Sequence, residues 1–100
     1  MSVPVYERIL DLLAVEGIDT LFGIPDPGFI HMAMTAEKRG WNVVSPHHEQ
    51  AGAFMADAWS RMTGKPGVCF GTQGPGVGNL AAAMICAACA RLSGAMRAFT

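Results

Sequence analysis

Apolar residues at Val5, Ile9, Leu12, Leu13 and Val15 recur at helical spacing over residues 5–16, and Gly17 stands where a left-handed C-terminal cap would close the helix. IDTLFGI then reads as a short strand, and Pro25, Asp26, Pro27 and Gly28 form a loop. Residues 29–39 fit a second helix with Gly40 just past its end, and WNVVS is the second strand. After the SPHHEQ turn a third helix runs to about Thr63, where Gly64 and Pro66 stop it. GVCFG is the third strand, TQGPGVGN a loop, and a fourth helix begins near Asn79. The order α-β-α-β-α-β-α buries itself best as an α/β fold, a parallel sheet with helices on both faces. No repeat, linker or low-complexity segment interrupts it.

In open sheets of this kind, ligands bind at the carboxyl ends of the strands. Three loops meet that condition: GIPDPG, SPHHEQ and GTQGPGVGN. They also hold most of the Pro, Gly and His of the chain, so topology and chemistry point to the same edge.

Composition narrows the classes. One hundred residues make one small domain at most, and with 51% hydrophobic and 15% charged residues the chain is apolar for a lone soluble domain. A partner surface is expected. Net charge is −1 with Lys and Arg scattered singly, which argues against nucleic-acid binding. The N-terminus carries Glu7, Arg8 and Asp11 inside its apolar pattern, unlike a secretory signal. The longest uncharged apolar run, residues 80–90, is far shorter than the roughly 20 residues that span a bilayer. A cytoplasmic protein with no membrane contact is the expectation. Cys86 and Cys89 form a CxxC, but inside the helix-like run LAAAMICAACA, so they and Cys69 read as plain buried thiols.

The stretch HHEQAGAFMADAWSRMTGKPG places one carboxylate, Glu49, before a helix of apolar and small residues. An acid at a helix start commonly just complements the helix dipole. Here His47, His48 and Gln50 crowd the same turn while Ala51, Gly52, Ala53 and Phe54 supply an apolar floor, an arrangement used for proton relays. The two histidines, being adjacent, point to different sides and lack a third partner for zinc, so no metal site is expected. His31 reads as a surface or packed histidine. Met55, Trp59 and Met62 sit at a spacing that suggests core or interface packing, and the few charges of this helix, mainly Asp57 and Arg61, suggest burial on both sides. The glycines of GPGVG would let a ligand approach the backbone closely, yet their spacing is neither the dinucleotide fingerprint nor a P-loop.

Three segments in order, ERILDLLAVEGIDTLFGIP, PHHEQAGAFMADAWSRMTGKPGV and GTQGPGVGNL, resemble the amino-terminal pyrimidine-binding domain of thiamine diphosphate enzymes of the acetolactate synthase group. The resemblance covers residues 5–88. It implies that Glu49 hydrogen-bonds a ring nitrogen of the aminopyrimidine and drives it toward the imino form that removes the thiazolium proton. It places Gly23, Ile24, Pro25 and Asp26 at the border of the cofactor or substrate pocket, and Gly74, Pro75, Gly76 and Asn79 beside the pyrimidine. His47, His48 and Gln73 would face the substrate pocket. The substrate class implied is a small 2-oxo acid or related carbonyl compound. Asp26 departs from the glycine-rich turn common in acetolactate synthases, and Gln73 stands where relatives often have a small residue, so related decarboxylases and acyl-transferring enzymes stand beside acetolactate synthesis.

Residues 1–88 are therefore expected to form a partial pyrimidine domain, with 89–100 a divergent tail from truncation or a frame shift. The resemblance implies magnesium and diphosphate held by a domain absent from this chain, a homo-oligomer or a complementary diphosphate-domain chain as partner, and no activity alone. A split-enzyme subunit or a noncatalytic α/β interaction module are the alternatives. Marginal stability is expected too, because half a sheet would leave a long edge strand and apolar helix faces exposed.

Overall fold

The computed structural model describes residues 2–92. Its first helix, α1 (Val5–Val15), starts behind Pro4, whose carbonyl accepts from the Glu7 and Arg8 amides. It ends where Gly17 turns left-handed at φ 79°. Strand β1 (Thr20–Gly23) is buried along its whole length. Helix α2 (Ile30–Lys38) leads to β2 (Asn42–Val44), and α3 (Glu49–Thr63) leads to β3 (Cys69–Phe70). A four-residue helix α4 (Pro75–Gly78) precedes α5 (Ala81–Leu92).

The three strands are parallel in the order β2-β1-β3, with Phe22 paired to Val44 on one side and to Cys69 on the other. Because side chains alternate across a strand, successive residues serve opposite faces. Leu21 and Phe70 join Leu10, Met32 and Ala36 in a core under α1 and α2, rimmed by Tyr6, Leu13, Phe29, Trp41, Val43 and Val68. Cys69 turns the other way, toward Ala53, Leu80 and Ala83 under α3 and α5. Arg39 ties α2 to α1 by donating to Asp11 at 2.8 Å.

Several expectations need correction. The GVCFG strand pairs over two residues only, and β2 over three, so neither outer strand is long. The loop TQGPGVGN contains α4, and the last helix begins at Ala81 rather than near Asn79. Pro75 explains this: its ring fixes a helical φ and its missing N–H costs nothing in a first turn. On α1, residues 6, 10 and 13 turn inward, while Val5, Ile9, Leu12 and Val15 remain exposed. Cys86 and Cys89 are exposed, because Ala83 and Ala87 form the buried stripe of α5 and the two thiols lie off it. In the single chain α3 buries one side only: Met55 and Met62 are exposed, as is Phe54. The change of character expected over 89–100 lies, from residue 93 on, outside the described residues.

Candidate functional site

The N-terminus of α3 needs a cap, and His48 provides it. With extended backbone, it accepts the Gln50 amide at Nδ1 (3.0 Å), and its carbonyl accepts from Ala51 and Gly52. Glu49, the first residue of the helix, is thereby released from capping. It is half-buried, and its Oε2 is fully buried with no hydrogen-bond partner among the described residues. A buried carboxylate oxygen left unbonded costs about 1–3 kcal/mol, so the position calls for a donor from beyond the described residues.

Small residues fix where that acid sits. A Cβ on Gly52 would stand 3.0 Å from Pro46 Cγ and 3.7 Å from the Gly23 amide nitrogen, so the first turn of α3 lies almost against the end of β1. Further along, Gly67 passes so near the Ala56 carbonyl that any side chain there would collide with it. Gly23 in turn is closed by Phe70, whose carbonyl oxygen a Cβ would meet at 2.6 Å. Asp57, buried on the same helix, is satisfied by Arg61, whose Nε donates to both carboxylate oxygens at 3.2 Å. Burial also raises the Cys69 thiol above its ordinary pKa.

Beyond β3, Gly74 adopts φ 75° and ψ −109°, a region closed to residues with side chains, and turns the chain into Pro75. Gly71 and Gly76 then meet backbone to backbone: a Cβ on Gly71 would lie 2.8 Å from the Gly76 carbonyl oxygen. Asn79, half-buried, closes α4 by donating its amide to Pro75.

A cleft of about 660 Å³ opens between the loops after β1 and β3, lined by Asp26, Pro27, Gly28, Phe29, Gly71, Thr72, Gln73 and Val77. Of the candidates read from sequence, Asp26 and Gln73 line it. Glu49 does not; it stands at the start of α3, which packs on β1 and β3. Gly23, Ile24 and Pro25 lead from β1 toward the cleft, and His47 and His48 are exposed before α3. Phe29, Thr72 and Val77 escaped the sequence reading, although their positions in strand-end loops were the available signal. His31 is exposed and stacks on Tyr6 with ring centroids 6.1 Å apart. Among the described residues no group of three His, Cys, Asp or Glu converges on a point, and no helix is long and apolar enough to cross a membrane.

Residues 4–93 match the family described as thiamine pyrophosphate enzyme, N-terminal TPP binding domain. The chain belongs to that family. The acetolactate synthase large subunit of Parasynechococcus marenigrum is 49% identical over 76 residues, which are 72% of this chain and 12% of that protein. The acetolactate synthase of Bacillus subtilis is 40% identical over 81 residues, 81% of this chain and 14% of the relative. Among solved structures, the thiamine diphosphate-dependent 4-hydroxybenzoylformate decarboxylase of Rhodococcus jostii superposes with a TM-score of 0.71 at 28% identity, over 81% of this chain and 15% of that one. The chain thus spans only a small part of the length of these thiamine enzymes, and the part it matches is their N-terminal α/β domain.

Proposed function

We propose that this chain supplies the pyrimidine-binding half of a thiamine diphosphate site that acts on 2-oxo acids or related carbonyl compounds, with Glu49 as its essential acid. The observation that carries the reading is the Glu49 Oε2 atom, buried and without a partner among the described residues after His48 has taken over the helix cap. A protonated nitrogen of an aminopyrimidine would satisfy it. Thiamine diphosphate, when bound, supplies a nucleophilic carbon that adds to the carbonyl of the substrate.

The residues of the chain divide the remaining work. Glu49 holds or shares a proton at Oε2, and the Ala53 and Gly52 side of α3 keeps water from that bond, which strengthens it. Gly74, Pro75 and Gly76 shape a backbone wall thin enough for a flat ring to lie against, with Asn79 at its end. Gly23, Ile24 and Pro25 form the opposite border. His47, His48 and Gln73 would meet substrate as it enters. Diphosphate and magnesium would fall to residues of another domain or a partner subunit. Such an assembly, a homo-oligomer or a complementary chain, also gives cover to the exposed apolar residues of α1, α3 and α5.

The test has two readouts. Thiamine diphosphate added to the isotope-labelled chain is expected to shift the amides of residues 49–52 and 74–79. Glu49→Gln should abolish the response around residue 49 while leaving the fold intact. With a complementary diphosphate-domain chain present, the same substitution should cut turnover at least about a hundredfold, the scale of a lost acid-base group. An unchanged titration in Glu49→Gln would sink the proposal. A noncatalytic docking module, by contrast, would keep its partner and lose nothing on that substitution.

A further inference from the structure

The CxxC of α5 takes no part in the site described above. Cys86 and Cys89 are both free and exposed, and neither thiol has a hydrogen-bond partner among the described residues. Three residues apart on a helix, they stand about 60° from each other around its axis and share a face, with Cβ atoms roughly 5–6 Å apart. Ala83 and Ala87 form the buried stripe of the same helix, which packs on α3, so a seated helix presents the pair.

That spacing decides what the two sulfurs can do together. A disulfide needs Cβ atoms about 3.5–4.5 Å apart, so closing one here would distort the turn between them. A metal ion bonded to both sulfurs spans the wider gap, since each metal–sulfur bond adds about 2.3 Å.

The donor set then selects the ion. After Asp57 the chain holds no Asp, Glu or His, and among the described residues no third His, Cys, Asp or Glu joins the pair. Ala82 and Ile85, one turn before the two thiols, bring no competing donor. Zinc takes four ligands, and calcium and magnesium take oxygen. Thiolates prefer soft ions, and Cu(I) is satisfied by two sulfurs in a near-linear bridge.

We propose that Cys86 and Cys89 form a binding site for a soft, two-coordinate ion of the Cu(I) type. Each thiol releases its proton to solvent as its sulfur bonds the metal, and the ion keeps its oxidation state. The proposal stands apart from the thiamine reading and does not depend on it.

The experiment is a competition for Cu(I) between the reduced full chain and bicinchoninate, without oxygen. The chain is expected to withdraw one ion per molecule, with amide shifts centred on residues 82–90 and two sulfur neighbours in X-ray absorption. Cys86→Ser and Cys89→Ser should each weaken binding at least about a hundredfold, because the second sulfur acts at a high effective concentration. Cys89→Ala combined with Ala88→Cys keeps two thiols but sets them on opposite sides of the helix, and should fail likewise. All three positions are exposed, so the variants should keep the amide spectrum of the rest of the chain. Cys69→Ala should bind as the unsubstituted chain does. No withdrawal of copper, full binding in either serine variant or in the displaced pair, or loss of binding in Cys69→Ala overturns the proposal. Zinc is offered in parallel and should stay with a micromolar zinc indicator. A zinc ion held more tightly than that by two chains would make the pair half of a four-thiolate site between copies, and would overturn the two-coordinate assignment.

Discussion

The two faces of this sheet are built from different materials. Under α1 and α2, Leu10, Leu21, Met32 and Phe70 interlock as a layer of large side chains. Under α3 and α5 the core is Ala53, Leu80 and Ala83, and glycines bring backbone against backbone. The first arrangement gains its stability from apolar area and tolerates small shifts of its helices. The second gives up apolar area for closeness, and it is the side that carries Glu49, Asp57 and the exposed thiols. Stability and chemistry have been assigned to opposite faces.

The sharpest break of that contrast is Leu21→Ala, which empties a fully buried position on the large-residue face. It is expected to cost about 3 kcal/mol in urea unfolding, while thiamine diphosphate still shifts residues 49–52 in the fraction that remains folded. Gly52→Ala attacks the other face. The added methyl must displace Pro46, for about 1–2 kcal/mol, but thiamine diphosphate affinity should fall at least about tenfold as the first turn of α3 is pushed off β1. If Leu21→Ala were the substitution that silenced the site and Gly52→Ala left it intact, the division between the faces would be wrong.

Asp57→Asn is a finer probe. It leaves Arg61 without its carboxylate, but that guanidinium is about a third exposed, so the loss should stay near 1 kcal/mol. The smallest effect belongs to Cys69. Burial raises its folded pKa above the unfolded one, so the folded chain holds a proton that the unfolded chain releases first. Stability from this source is therefore complete below about pH 8.5, the ordinary thiol value, and declines as pH rises through the folded value. Cys69→Ala should remove that decline. A maleimide should meanwhile label Cys86 and Cys89 well before Cys69.

Much of this was legible in the sequence, and for local reasons. Gly17, Gly40 and Gly64 all take positive φ where they were expected to end helices, because few other residues adopt that conformation cheaply. The parallel order followed from alternating helix and strand patterns. Misreadings came where tertiary placement decides. The helical pattern of α1 carries apolar residues on two sides, and sequence spacing alone could not tell the buried side, Tyr6, Leu10 and Leu13, from the exposed one. The same ambiguity hid the exposure of Cys86 and Cys89. At the site, Glu49 stood out by its surroundings. The cap that frees it was not visible, since histidine is seldom a helix cap and only the geometry shows Nδ1 turned to Gln50. The cleft of Asp26, Phe29 and Thr72 depends on two loops far apart in the chain coming together.

The contact of Gly52 with Pro46 and Gly23 has a mechanical side as well. Where helices normally ride on a sheet, a layer of side chains lies between them and yields like a cushion when either moves. Here that cushion is missing at the first turn of α3, so the backbone that carries Glu49 is seated almost directly on the end of β1. Backbone mounted in this way keeps its place through thermal motion, and residues 49–52 should be among the stiffest in the chain on the nanosecond scale.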